Sequence, residues 1–203
     1  MQGGKSSFPE NYREPREWKH SILKRYYDPA VDTIIDVGCG DLQLWKGISP
    51  AQGKFTGVDI SQMVIDTHKQ KYPYCNFICA SSDKTLNISA DVVTCFDMLY
   101  HILDDEVFIA TLKNLKRYAK RHLLIYTWGK NPWGWGIWPK VVQFYKTGTF
   151  TFDRFTTDGS YQMYREFLME ATPIFEPEFE LIEIRDYKRS KYGTMYVYAR
   201  RGE

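Results

Sequence analysis

Three aspartates follow apolar, strand-like runs and could bring their carboxylates together. Asp36, Asp59 and Asp97 each stand at the end of such a run or directly after it. In an open parallel sheet the carboxyl ends of the strands meet at one edge, and ligands bind there. Carboxylates at that edge can accept hydrogen bonds from ribose hydroxyls or hold a positively charged group. The three aspartates therefore predict a ligand site at this edge of a sheet.

The first of these aspartates leads into a glycine turn. Gly38 and Gly40 would let backbone N–H groups approach a ligand closely. A nicotinamide or flavin cofactor would want a third glycine, but Gln43 stands at its position. A pyrophosphate would also be repelled by the carboxylates on either side of the glycines. Because Asp59 lies 19 residues after Gly40, at the end of the next strand, the turn favours a nucleoside-bearing ligand with a cationic end.

Apolar runs alternate with helical patterns along most of the chain. Strands are predicted at about 32–37, 54–59, 75–79, 91–96, 122–126, 179–185 and 194–200. Helices are predicted at about 14–28, 41–48, 62–71, from 104 and over 160–171. This alternation indicates an α/β fold with a mostly parallel seven-stranded sheet and helices on both faces. A short basic loop joins the last two strands, so we expect the last strand to run antiparallel.

The composition is typical of one globular domain. With 203 residues, 43% of them hydrophobic, the chain is expected to form a single domain over residues 1–203. A net charge of +2 disfavours nucleic acid as a partner. The four cysteines are expected to be buried, reduced thiols, and no signal peptide or membrane span is evident, which favours a cytoplasmic location. Cys75 and Cys79 have no histidine or carboxylate nearby, so no metal site is expected.

Three stretches resemble the motifs of the class I S-adenosylmethionine-dependent methyltransferases. Ile34–Asp41 resembles their first motif, Gly57–Ser61 the acidic second motif, and Asp91–His101 the motif around the fourth strand. Leu42 departs from the pattern, because a third glycine often stands there. The resemblance implies a Rossmann-like fold and S-adenosylmethionine as the cofactor.

The same resemblance implies roles for individual residues. Asp36 would orient the turn and the methionine amine, and Asp59 would bind the ribose, with Ile60 against the adenine. Asp83 would meet the adenine amine, and Asp97 would lie near the sulfonium. The cofactor-binding residues that it implies are Asp36, Gly38, Cys39, Gly40, Asp59, Ile60, Ser82, Asp83, Phe96 and Asp97.

The methyl acceptor is less well specified. His101 is the candidate base for a hydroxyl or protonated amine, although such a histidine can equally brace the next helix. An aromatic-rich insertion at about 127–157 is predicted to form a substrate lid, with structural packing and a surface contact as the alternatives. The predicted substrate-binding residues are Tyr100, Trp128, Trp133, Trp135 and Tyr164.

The function predicted from these features is O- or N-methylation of a small molecule. Methylation of RNA or protein is the alternative within enzymes, and a cofactor-binding module that acts through a partner is the non-enzymatic one. The acceptor atom and the oligomeric state do not follow from the sequence.

Overall fold

The residues described by the structure, a computed structural model, are 13–129, 165–189 and 193–202. Within these ranges the strands of one sheet are β1 (Ile34–Val37), β2 (Phe55–Asp59), β3 (Asn76–Cys79), β4 (Ala90–Phe96), β5 (Ala119–Trp128), β6 (Phe179–Asp186) and β7 (Gly193–Arg200). The helices are α1 (Arg13–Leu23), α2 (Gln62–Lys71), α3 (Asp105–Tyr118) and α4 (Phe167–Phe175). The strands lie in the order β3-β2-β1-β4-β5-β7-β6.

The parallel part of the sheet is built outward from β1. This strand pairs in parallel with β2 on one side and β4 on the other, and β3 and β5 extend the sheet in the same sense. All four residues of β1 are buried, as expected for a parallel strand that is covered on both faces. Because the strand order reverses beside β1, its carboxyl end is the place where a ligand crevice is expected.

The last strand runs against its neighbours. β7 pairs antiparallel with both β5 and β6. The predicted fold, a Rossmann-like sheet of seven strands that is parallel except for the last one, is therefore confirmed.

Apolar side chains from the two faces of the sheet form two clusters. On one face Ile34 packs in a cluster with Leu23 of α1 and Ile65 of α2. On the other face Ile35 belongs to a cluster that includes Leu112 of α3 and Phe175 of α4, which places helices on both faces. The adjacent residues Ile34 and Ile35 face opposite ways because side chains alternate along a strand.

Two helices begin at side-chain caps. The Ser61 hydroxyl accepts a hydrogen bond from the Val64 N–H at 3.4 Å, and the Asp104 carboxylate accepts one from the Val107 N–H at 2.9 Å. Each side chain satisfies an N–H group that has no partner inside its own helix.

The helix predicted over 41–48 is wrong. Only a short 3₁₀ helix, Gln43–Trp45, forms there. Leu42 before it and Gly47 after it have φ angles of +58° and +86°, which an α-helix does not allow. Leu42 thus adopts the left-handed conformation at the position where the related motif often carries glycine.

Other boundaries also differ from the prediction. The first helix ends at Leu23 instead of near residue 28, and β5 runs on to Trp128, so the first residues assigned to the aromatic insertion belong to the sheet. The helix predicted over 160–171 is observed as Phe167–Phe175; residues 160–164 lie outside the described ranges. Phe167, Ala171 and Phe175 recur at helical spacing and are buried, so packing holds this helix together although Pro173 stands inside it.

The cysteines only partly match the expectation of burial. Cys39 and Cys95 are buried, but Cys75 is half-buried and Cys79 is exposed. The exposure of Cys79 follows from its place on β3, which is an edge strand of the sheet. Among the helices of the described ranges, none combines the length and apolar character needed to cross a membrane.

Candidate functional site

The glycine turn follows directly on β1 and is tied to the end of β2. Gly38 and Gly40 have φ angles of +79° and +50°, values that glycine adopts without a steric cost. The N–H groups of Gly38 and Cys39 both donate to the Val58 carbonyl, at 2.8 and 3.1 Å. The turn is therefore held to the sheet by its backbone. Cys39 itself is buried, and burial raises the pKa of its thiol.

Asp36 lies beneath this turn, not on the surface of the crevice. The side chain is buried, and it accepts hydrogen bonds from Trp45 Nε1 at 2.6 Å and from the Thr94 hydroxyl at 2.7 Å. Burial raises the pKa of Asp36 from 3.8 to about 6, against the effect of these two donors. The sequence identified neither Trp45 nor Thr94 as a partner of Asp36.

Asp59 joins the turn to the cavity beside it. One carboxylate oxygen accepts a hydrogen bond from the Gly40 N–H and the other accepts one from the Ser61 N–H, both at 2.9 Å. From α2, His68 Nε2 donates to the Gly40 carbonyl at 2.7 Å, a contact that the sequence did not suggest. Each Asp59 oxygen keeps acceptor capacity for a second donor, such as a ribose hydroxyl.

A cavity of about 480 Å³ opens at the carboxyl ends of β1 and β2. Its walls include Gly38, Asp59, Ile60, Met98, His101 and the stretches 80–82 and 102–104. This volume lies within the range of small-molecule sites in proteins. The cavity thus brings together the glycine turn, the second strand-end carboxylate and the predicted base.

The loop after β3 brings the predicted Ser82 to the cavity, but its second contribution is Ser81 and not the predicted Asp83. Ser81 and Ser82 line the cavity, and the Ser82 hydroxyl is hydrogen-bonded to that of Thr111 at 2.8 Å. Asp83 does not line it; this residue borders a neighbouring surface hollow with Lys113 and pairs with Lys84. The structure therefore places Ser81 and Ser82, and not Asp83, at the wall where an adenine contact was predicted.

The residues at the end of β4 also lie away from the cavity wall. Phe96 is buried in the cluster on the α1 face. Asp97 forms an ion pair with Lys19 of α1, whose side chain is only 1% exposed. Lys19 stands three and four residues before Ile22 and Leu23, so helical spacing places it on the apolar face of α1 and could have identified it.

The predicted acceptor side is only partly within the described residues. The Tyr100 ring stacks on Trp128 at 4.9 Å between centroids, and its hydroxyl donates to Asp97 at 3.3 Å. Burial raises the pKa of Tyr100. His101 is exposed at the cavity, with its ring 4.6 Å from that of Tyr100. The predicted substrate residues Trp133, Trp135 and Tyr164 lie outside the described ranges.

Replacing Gly38 with alanine is expected to weaken binding of the predicted cofactor, S-adenosylmethionine, and of its demethylated form by about tenfold, since a small shift of the turn would cost about one hydrogen bond. A Cβ atom there would lie 2.7 Å from Cγ and 2.8 Å from Cβ of Met98, so the cavity wall must move. Calorimetry with S-adenosylhomocysteine measures the loss. Gly47→Ala is the control, because Gly47 also has a positive φ but nothing within 4 Å of its added Cβ. Equal losses in both variants would contradict the role of the Met98 contact.

Comparisons with known proteins agree with this geometry. The family model described as "Methyltransferase domain" matches residues 34–122. The ubiquinone biosynthesis O-methyltransferase of Hydrogenovibrio crunogenus is 31% identical over 91 residues, which cover 41% of this chain and 37% of that protein. The match therefore spans little more than a third of the length of that curated relative.

Solved structures share the fold over nearly the whole chain. The magnesium protoporphyrin IX methyltransferase of Synechocystis with bound S-adenosylhomocysteine has a TM-score of 0.63 at 18% identity, covering 98% of this chain and 90% of its own. An N-methyltransferase of Bradyrhizobium japonicum, in complex with S-adenosylhomocysteine, has a TM-score of 0.63 at 10% identity. The match covers 95% of this chain and 90% of that protein. These likenesses show the same fold, and the family model covers residues 34–122, the part of the chain that contains the three motifs.

Proposed function

We propose that this chain, whose residues 34–122 match the methyltransferase domain model, transfers a methyl group from S-adenosylmethionine to a small-molecule acceptor. The observation that carries the proposal is the cavity at the switch point of the sheet. It is lined by Gly38 of the turn, by the Asp59 carboxylate and by His101. The glycine turn and the carboxylate suit a nucleoside with a cationic tail, and the histidine would serve the methyl acceptor.

The residues around the cavity fit the parts of S-adenosylmethionine. The Asp59 carboxylate would accept hydrogen bonds from the ribose hydroxyls, and Ile60, which is 74% exposed, would be covered by the adenine. Ser81 and Ser82 would lie along the adenine edge. The glycine turn, with the Asp36 carboxylate beneath it, would hold the amino-acid end, because a buried carboxylate favours a cation nearby.

The chemistry divides between the cofactor and the chain. The cofactor supplies a methyl group on a sulfonium, a good leaving group in an in-line displacement. The chain would align the acceptor, exclude water and take up a proton where the acceptor carries one. His101 is the proposed proton acceptor, because it lies at the cavity and next to the stacked pair of Tyr100 and Trp128. That aromatic pair, together with Trp133, Trp135 and Tyr164, is proposed to face the acceptor.

A small-molecule acceptor is favoured by the kinds of relative found. The names of two of them refer to ubiquinone biosynthesis and to magnesium protoporphyrin IX. The net charge of +2 offers little attraction for RNA. The relatives include both O- and N-methyltransferases, so either atom fits the proposal. We extend the proposal to a cytoplasmic location, which the four free thiols support.

The test begins with binding and continues with transfer. Calorimetry should detect binding of S-adenosylmethionine and S-adenosylhomocysteine, with a nicotinamide dinucleotide as the non-binding control. S-adenosylmethionine carrying a labelled methyl group is then incubated with the protein and separate small-molecule, protein and RNA fractions. Label in the small-molecule fraction supports the proposal. Label in protein or RNA would show that the acceptor is a macromolecule and not a small molecule. Binding without transfer to any fraction would favour a non-enzymatic module.

A further inference from the structure

A lysine is buried against the sheet beside the candidate site. Lys19 of α1 is 1% exposed, and its ammonium lies 3.9 Å from the centre of the Tyr126 ring, within reach of a cation–π contact. The same ammonium contacts the Asp97 carboxylate. Burial lowers the pKa of Lys19, and Asp97 opposes that effect. Burying an ammonium without partners costs free energy, so the carboxylate and the aromatic ring are what allow Lys19 to be buried here.

Asp97 occupies an unusual backbone position at the end of β4. Its φ angle is +58°, which is uncommon for a residue with a side chain. The Asp97 N–H donates to the Tyr126 carbonyl at 3.1 Å, and its carboxylate accepts from Tyr100 as well as from Lys19. Contacts from α1, from β5 and from Tyr100 thus hold this one residue in place.

The charges of the pair act on the candidate site although neither side chain lines the cavity. Met98, the residue after Asp97, lies at the cavity and against Gly38. The Asp97 charge raises the pKa of Asp36 beneath the glycine turn, and the Asp36 charge raises that of Lys19. Removing the charge of either residue should therefore change the electrostatic potential at the glycine turn, where the cationic end of the ligand is proposed to lie.

We propose that Lys19 and Asp97 form a charge-compensated pair, and that the loss of either charge alone changes how strongly the site prefers the cationic S-adenosylmethionine to its uncharged-sulfur product, S-adenosylhomocysteine. This inference rests on the proposed function. The two ligands differ by the methyl group and by one positive charge at sulfur. A net negative charge beside the turn favours the sulfonium, and a net positive charge disfavours it. With both members present, the pair contributes little net charge.

Two single substitutions separate this role from a purely structural one. Lys19→Met removes the positive charge and should raise the ratio of affinities for S-adenosylmethionine over S-adenosylhomocysteine by on the order of fivefold. Asp97→Asn removes the negative charge and should lower the ratio by a similar factor. The double variant removes both charges and should return the ratio to that of the unmodified protein. Calorimetry with each ligand at about pH 8, where carboxylates are normally ionised, gives the ratios.

The controls address folding and side-chain size. Lys19→Arg keeps the charge and should keep the ratio, and Lys24→Met removes an exposed lysine and should do the same. Each single charge removal leaves a charge without its partner, so both variants should melt earlier, and binding is measured well below their melting temperatures. Equal loss of affinity for both ligands, or shifts of the ratio in the same direction, would overturn the inference. If the unmodified protein binds neither ligand, the proposed function fails instead.

Discussion

Replacing Asp59 with alanine is expected to weaken the binding of S-adenosylmethionine by about 100-fold, because two hydrogen bonds to a charged acceptor would be lost. The same change removes the two carboxylate oxygens that accept hydrogen bonds from the Gly40 and Ser61 N–H groups, each at an N···O distance of 2.9 Å. The glycine turn would then lose its link to the end of β2. Calorimetry with S-adenosylmethionine and thermal unfolding together measure the two effects.

The loss of ribose contacts can be separated from the loss of the turn. The unmodified protein should bind adenosine more tightly than 2′,3′-dideoxyadenosine, which lacks the hydroxyls at C2′ and C3′, and the Asp59→Ala variant should bind the two equally. Asp66→Ala, on the exposed face of α2, is the matched control and should leave all affinities unchanged. A variant that still distinguishes adenosine from dideoxyadenosine would show that Asp59 does not bind the ribose.

The sheet and the position of the cavity follow from local features of the sequence. Apolar runs that end in Asp36 and Asp59 indicate parallel strands with their carboxyl ends at one edge, and the structure places a cavity at that edge. Ser61 and Asp104 mark helix starts because capping depends only on residues within one turn. These features can be predicted from the sequence because each depends on only a few consecutive residues.

The partners of the buried charged residues could not be predicted from the sequence in the same way. Asp97 meets a lysine 78 residues earlier in the chain, and Asp36 meets Thr94 across two neighbouring strands, 58 residues away. Such pairs depend on which helix covers which face of the sheet, and a local pattern does not specify that. Asp83 shows the reverse case, since its type suggested a ligand contact while the path of its loop presents Ser81 and Ser82 to the cavity.

Replacing Asp36 with asparagine is expected to stabilise the ligand-free protein while weakening cofactor binding. The pKa of Asp36 is raised by burial to about 6, so above that pH the folded protein holds a buried charge that the unfolded chain exposes to water. The difference from the ordinary value corresponds to about 3 kcal/mol of lost stability at neutral pH and above. Asparagine fits the same contacts, because its oxygen can accept from Trp45 and its amide can donate to the Thr94 hydroxyl.

The stabilising effect of Asp36→Asn should depend on pH in a definite direction. A carboxyl group with a raised pKa in the folded state contributes stability that is present at low pH and is lost as the pH rises through about 6. The gain in melting temperature from Asp36→Asn should therefore be several degrees at about pH 8 and should shrink towards pH 4. Cofactor affinity should do the opposite in the unmodified protein, rising as Asp36 ionises, and should be weak and flat with pH in the variant. A variant that is less stable than the unmodified protein at pH 8, or that keeps the rise in affinity, would contradict the assignment of Asp36 as the buried charge that the cationic ligand compensates.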